Sequence, residues 1–560
     1  MTMASLPPVL PAPTPIPRGA SPTDRTDLGN SHRFVVEHGE ALRYVGSWGK
    51  WLDWDGKRWS IDAVGRAEHR AKETVRGMYS GVSKEILNAK ASLDRAEATG
   101  DPDLVTLQKD RMKATGAMFN WALKSHDAAR IRAIVTLAKS APELAVTHAQ
   151  LDADPWALNV TNGRIDLRTG KLHAHRPGDL ITKLASVAYD PAAECPTWER
   201  FLSQAMGGNV DLLSFIRRMT GYALTGVIRE HVLGFLFGSG ANGKSTYINT
   251  MHSMLGDYAT RAPRGLLFTA FGSKHETELT TLFGARMVSC SEVDEAATFD
   301  EALVKDLTGG DPITARRMRE DHWTFTPSHK LFLAGNHKPR VKGNDEGIWR
   351  RIRLIPWTVT IPLEERDTGL PEKLRVELPG ILAWAVRGCL EWQQHGLGEP
   401  IEVTQATAAY RDESDPMREF FDLHCVLESE ARTPRRHIRE RYVEYCKDVG
   451  AEPLHAKRFS EGLRRRGVLD GVVKYMGKVM DGWKGVRLAT DRERDERADS
   501  EENDAAKAPR AHKNDAANGA PEDGREPVTA VRSRDSESIP SSESENCFSD
   551  FLGRADGFAK

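Results

Sequence analysis

Gly238-Ser239-Gly240-Ala241-Asn242-Gly243-Lys244-Ser245-Thr246 fits the pattern G-x-x-x-x-G-K-[ST]. The apolar run Val232-Leu-Gly-Phe-Leu-Phe237 precedes it and predicts a buried strand. Residues 247–255 follow with amphipathic spacing and predict a helix. The loop therefore lies between a strand and a helix N-terminus. Glycines let successive backbone N–H groups turn toward one phosphate, and the helix dipole adds partial positive charge there. Lys244 is placed to reach the β- and γ-phosphates of ATP, and Ser245 to hold Mg²⁺.

Three later segments bear on what such a site drives. Arg286-Met-Val-Ser-Cys-Ser-Glu292-Val-Asp294-Glu295 reads as a short buried strand ending in acids. A carboxylate at that tip can hold the metal shell or polarise a water, with Glu292 the first choice and Asp294 and Glu295 as alternatives. Lys330-Leu-Phe-Leu-Ala-Gly-Asn336 is another apolar strand, and its terminal Asn can orient the attacking water. Gly347-Ile-Trp-Arg350-Arg351 precedes a further apolar strand. In a ring of subunits, one arginine of this pair can reach a neighbour's γ-phosphate. Between the acids and Asn336, residues 314–318 and 323–326 alternate like two strands. Arg316, Arg317, Arg319 and His322 make their hairpin basic and suited to DNA phosphates.

The order of these segments resembles the superfamily 3 helicases of small DNA viruses, phages and plasmids. It is most similar to the phage/plasmid primase–helicase family, with its satellite-phage and poxvirus members. The residues that carry the likeness include Gly238 to Thr246, Ser291-Glu292, Leu307-Thr-Gly-Gly-Asp-Pro-Ile-Thr-Ala-Arg-Arg317, Ala334-Gly-Asn-His-Lys-Pro-Arg340 and Asp345-Glu-Gly-Ile-Trp-Arg-Arg-Ile-Arg353. Upstream, Asp152-Ala-Asp154-Pro-Trp156 and Asn162-Gly163-Arg-Ile-Asp166 resemble the accessory domain that precedes the motor in that family. The resemblance implies an α/β, AAA+-like P-loop motor that assembles as a homohexamer. It also implies ATP and Mg²⁺ as cofactors and single-stranded or forked DNA as partner.

The chain has 560 residues, enough for several domains. Expected are a Pro-rich disordered N-terminus at 1–25, an α+β accessory domain at 26–230 and the superfamily 3 helicase motor at 231–400. A winged-helix-like domain at 415–488 and a disordered acidic tail at 489–560 complete the layout. Within 27–62, Asp55-Gly56 predicts a hairpin turn, and the aromatic residues around it read as the core of a small β-unit. Asp101-Pro102 breaks a long helical stretch, and Ile131, Ile134, Val135 and Leu137 mark the apolar side of the next helix. Residues 416–426, 435–447 and 455–466 predict three helices. The last carries Arg458, Arg464, Arg465 and Arg466 and is followed by a two-stranded wing.

Asp152-x-Asp154 reads as a turn rather than a metal pair, and primer-synthesising relatives carry a polymerase-type domain where this chain has about 25 Pro-rich residues. Helicase activity without intrinsic primer synthesis is therefore expected, with a separate primase and other replication proteins as partners. Residues 489–560 hold 18 acids and 11 bases, a net of −7, which leaves +5 on the rest of a chain whose total is −2. That mildly basic body is compatible with nucleic acid. No C-x-x-C pair occurs among the six cysteines, and no membrane span or signal peptide is read. A bacterial cytoplasm is the expected location, with a phage, prophage or plasmid as source.

Overall fold

The computed structural model describes residues 25–263, 265–269, 276–291, 297–316, 322–341 and 346–494. One compact unit ends at Leu488.

Its centre is a five-stranded parallel sheet. The strands lie in the spatial order Ile352–Pro356, Leu233–Phe237, Lys330–Gly335, Met287–Ser291, Ala259–Arg261. Numbered along this part of the chain, that order is 5-1-4-3-2. Parallel strands covered on both faces need apolar side chains on both, which explains the nearly unbroken apolar runs of the three central ones. One face packs Leu236, Phe332 and Ile355 against Tyr247, Met251 and Met254 of the helix Lys244–Leu255. The other packs Phe235, Leu331 and Val288 against Val304 and Leu307 of the helix Glu301–Gly309. Register fixes the top edge. Phe237 lies opposite Gly335 and Pro356, and Ser291 lies opposite Ala334. The loops that begin at 238, 292, 336 and 357 therefore all leave the same edge of the sheet.

Beneath the sheet, the helices Val210–Leu224 and Leu378–His395 cross at two glycines. A Cβ on Gly221 would stand 2.0 Å from the Cys389 nitrogen, and one on Gly388 would stand 2.2 Å from the Arg217 carbonyl oxygen. Only bare backbone fits at that distance. At the lower strand ends two buried cations tie neighbouring segments together. The Arg286 guanidinium donates to the carbonyls of Leu224 and Ala157, and the Lys330 ammonium donates to the carbonyl of Thr225. Burial drives the Lys330 pKa well down.

The first described helix, Asp27–His38, is capped by Thr26, whose hydroxyl accepts from the Gly29 N–H at 3.0 Å. The hairpin expected around Asp55-Gly56 is present, pairing Lys50–Trp54 with Trp59–Ile61. The Asp55 carboxylate accepts from the N–H groups of Lys57 and Arg58, both at 2.8 Å, and so closes the turn. Phe34, Trp48 and Trp59 are buried, as a β-unit core requires. Trp48 also meets Phe283 and Trp323 edge-on, so this unit packs against the base of the Ile313–Arg316/His322–Phe325 hairpin.

The helical stretch does break at Asp101, which caps Pro102–Lys124 by accepting from two N–H groups. In the next helix, Ala128–Ala138, Leu137 faces solvent instead of the core, while Ile134 is fully buried. Ala138, one residue on and turned by about 100°, is the buried one in its place. Asp152 sits in a left-handed turn and accepts from the Thr182 N–H at 2.8 Å, and Asp154 pairs with Arg168 at 2.9 Å. Both carboxylates are thus spent on local structure.

The C-terminal portion differs from expectation. Its first helix is only Arg418–His424, and Cys425–Pro434 is a strand instead of a helix end. That strand pairs with Lys478–Leu488, which also pairs with Leu469–Tyr475, so the wing has three strands. The helices Arg435–Asp448 and Ala456–Arg465 fall where expected. Among the described residues, no helix is long and apolar enough to cross a membrane.

Candidate active site

The loop at 238–243 is held from both sides. Asn242 Nδ2 donates to the Trp357 carbonyl at 2.8 Å, and the Ile361 N–H donates to the Ala241 carbonyl at 2.9 Å. Two of its residues have left-handed backbone, Ala241 at φ 57° and Gly243 at φ 87°. A Cβ on Gly238 would stand 2.0 Å from the Trp357 carbonyl oxygen, and one on Gly243 would stand 2.7 Å from the Phe201 ring. Glycine is thus required at both ends of the cradle. Gly243 opens the helix Lys244–Leu255, and no side chain among the described residues caps it. Its first turn presents N–H groups and a positive dipole end where an anion would sit.

Lys244 lies beneath this loop and is 6% exposed. Its Nζ donates to the Gly238 carbonyl at 2.6 Å and to Asn242 Oδ1 at 2.9 Å. Both partners are neutral. Burial therefore pushes the ammonium below the usual lysine range, and no acid among the described residues pairs with it. An incoming phosphate would supply that opposing charge. Ser245 is exposed on the first helical turn, where its hydroxyl is free to face a metal ion. The neutral cradle, the left-handed glycine and the buried lysine together fit a nucleotide triphosphate.

Asn336 is exposed directly after the strand beside Leu233–Phe237. Glu292, Asp294 and Glu295 lie outside the described residues, but the strand that leads to them ends at Ser291 on the same edge. The two candidate arginines separate clearly. Arg351 is half-buried, its Nε donating to Thr308 Oγ1 at 3.0 Å and its Nη1 to the Gly347 carbonyl at 2.6 Å. Arg350 is exposed, and among the described residues its side chain makes no hydrogen bond or ion pair. Structure thus ties Arg351 to its own subunit and leaves Arg350 pointing outward.

Of the basic hairpin, Arg316 and His322 lie opposite one another in register, and both are exposed. Arg317 and Arg319 fall outside the described residues. Ile313, Ala315, Trp323 and Phe325 are buried on the other face, so the exposed face is presented by a firmly seated stem. The arginines at 458, 464, 465 and 466 divide. Arg464 pairs with Asp470 and Arg466 with Asp415, whereas Arg458 and Arg465 are exposed. Sequence reasoning did not single out Trp357 and Phe201, which brace the loop. Nor did it single out Lys338, whose ammonium lies 5.0 Å above the Phe237 ring and 2.6 Å from Glu413. A bulky apolar residue beyond a strand end carries no signature of such a role.

Residues 31–207 match the family described as D5 N terminal like, and residues 236–351 match a family of unknown function. Among curated proteins, the chain is similar to "Putative helicase L207/L206" of Acanthamoeba polyphaga mimivirus. The two are 27% identical over 298 residues, or 49% of this chain and 31% of that protein. It is 24% identical to "Putative helicase 184R" of Invertebrate iridescent virus 6 over 71% of this chain and 47% of that protein. The chain thus spans less than half the length of either relative. Among solved structures, the apo C-terminal region of NrS-1 superposes with a TM-score of 0.48 at 10% identity, covering 81% of this chain and 97% of that one. That superposition is too loose to carry an argument about the site. The D5 N terminal like segment and the viral relatives support a likeness to the phage and viral primase–helicase family.

Proposed function

We propose that this protein is an ATP-dependent DNA helicase of phage, prophage or plasmid replication, working as a hexameric ring on single-stranded DNA. The observation that carries the reading is the shared sheet edge. There a glycine cradle over a buried lysine stands beside the ends of the strands that lead to Glu292 and Asn336. The strand order 5-1-4-3-2 agrees with the AAA+-like core that the sequence resemblance implies.

In this reading the N–H groups at 239–245 and the Lys244 ammonium bind the β- and γ-phosphates of ATP. Ser245 and Glu292 would hold Mg²⁺, which would supply charge neutralisation for phosphoryl transfer. Glu292 accepts the proton of the attacking water, and Asn336 orients that water. Arg350 reaches the neighbouring subunit's site. Arg316, Arg317, Arg319 and His322 grip DNA phosphates without reading bases. The hairpin follows the helix Glu301–Gly309, whose Thr308 is bonded to Arg351, so a shift at Arg350 has a short path to the DNA contact.

Glu292→Gln tests the assignment of the water-activating acid. The amide keeps the size of the side chain but cannot take a proton. Binding of a fluorescent ATP analogue is expected to stay within about threefold of the unsubstituted protein, while phosphate release falls by roughly 10²–10⁴-fold. Unchanged turnover would move the role to Asp294 or Glu295.

A further inference from the structure

A cleft of about 530 Å³ opens between the segment after Asn336 and the C-terminal portion of the unit. Its lining comes from three stretches of chain: Lys338, Pro339, Arg340 and Val341; Tyr410, Glu413, Ser414 and Pro416; and Leu454 and Arg458. Its charges are uneven. Glu413 is the one acid among the described lining residues, and Lys338 already pairs with it at 2.6 Å. Arg340 and Arg458 remain, both exposed, and neither makes an ion pair among the described residues. The backbone of Arg340 is fixed, because its N–H donates to the Ala297 carbonyl and its carbonyl accepts from the Phe299 N–H. Tyr410 holds the same stretch by donating its hydroxyl to the Pro339 carbonyl. The rest of the lining is largely apolar, through Pro339, Val341, Leu454 and Pro416.

We infer that this cleft is a second binding site for single-stranded DNA, with Arg340 and Arg458 each contacting a backbone phosphate and the apolar lining taking the sugar and base faces. Cations in an otherwise largely apolar lining match a strand that alternates phosphate and apolar surface. The site is separate from the basic hairpin and joins the motor to the winged portion. It also lies next to the nucleotide loop. Lys338, on its wall, covers Phe237, the residue that precedes Gly238. A strand held here would therefore bear on the segment that carries Asn336. The inference rests on the helicase reading for its choice of DNA as ligand.

The test uses the full chain with Arg340→Ala, Arg458→Ala and the double substitution, and Lys at both positions as the charge-retaining control. Binding of a fluorescein-labelled oligo-dT and of a mixed-sequence oligonucleotide is followed by anisotropy at several salt concentrations. A fluorescent ATP analogue is titrated in parallel. Each Ala variant is expected to weaken both oligonucleotides to a similar extent, about 3–10-fold, and to flatten the log–log salt slope by about 0.7. The Lys variants should bind nearly as the parent does, and the ATP analogue should bind all of them within about twofold. Loss of the ATP analogue with DNA binding intact would reassign the cleft to a mononucleotide and overturn the inference. Unchanged binding of both ligands would also overturn it while leaving the helicase reading in place. If the unsubstituted chain bound no oligonucleotide, the helicase reading and this site would fall together.

Discussion

Lys244→Ala is expected to lower ATP turnover by at least about 10²–10³-fold, the cost of removing a preorganised charge from the developing phosphoryl group. The same substitution should leave the fold nearly as stable as before. The Lys244 ammonium contributes two hydrogen bonds, to Gly238 and Asn242, each worth about 1.5–3 kcal/mol because the donor is charged. Against that stands the desolvation of a charge that no acid among the described residues pairs with, and burial accordingly lowers its pKa. The two effects oppose one another, so Lys244 reads as a residue kept for its ligand and not for stability. Phosphate release and thermal unfolding, measured on the same preparation, check both halves. Turnover within threefold of the parent would remove Lys244 from the mechanism. A large fall in unfolding temperature would make it a structural lysine.

Adjacent arginines are expected to fail in different ways. Arg350→Ala removes an exposed side chain with no hydrogen bond or ion pair among the described residues, so stability should change by less than about 0.5 kcal/mol. If Arg350 completes a neighbour's site, ATP turnover should fall by about 10³-fold or more. Arg351→Ala instead strips donors from Thr308 Oγ1 and the Gly347 carbonyl and should cost about 1–3 kcal/mol of stability. Mixing settles whether the contact crosses between subunits. A ring containing Lys244→Ala and Arg350→Ala protomers should regain part of its activity, because each supplies what the other lacks. Full activity in Arg350→Ala, with loss confined to a stably folded Arg351→Ala, would reverse the assignment.

The parts of this structure that sequence makes visible are those fixed by local chemistry. Gly238 and Gly243 are legible because no other residue fits against Trp357 and Phe201 or adopts the required turn, and such needs recur as a motif. The strands at 233–237, 287–291 and 330–335 are legible because burial on both faces demands continuous apolar runs. The neighbour of each strand is not legible, since nothing local tells Leu233–Phe237 that Lys330–Gly335 will lie beside it. Cys425–Pro434 escaped for a related reason. Its middle, Glu428-Ser429-Glu430, is exposed and polar, and its partner Lys478–Leu488 lies some fifty residues on, so neither periodicity nor a turn announces it. Arg350 and Arg351 cannot be told apart by sequence, because their difference is a tertiary bond to Thr308. The cleft at Arg340 and Arg458 was equally hidden, as its walls come from distant segments.

The central claim is that nucleotide hydrolysis at Lys244 is coupled to single-stranded DNA. Steady-state phosphate release by the full chain, with and without a single-stranded oligonucleotide, tests it most directly. The account predicts Mg²⁺-dependent ATP hydrolysis that rises several-fold or more when the oligonucleotide is added, and no hydrolysis above background in Lys244→Ala under either condition. Hydrolysis indifferent to DNA, or hydrolysis that survives Lys244→Ala, would contradict it.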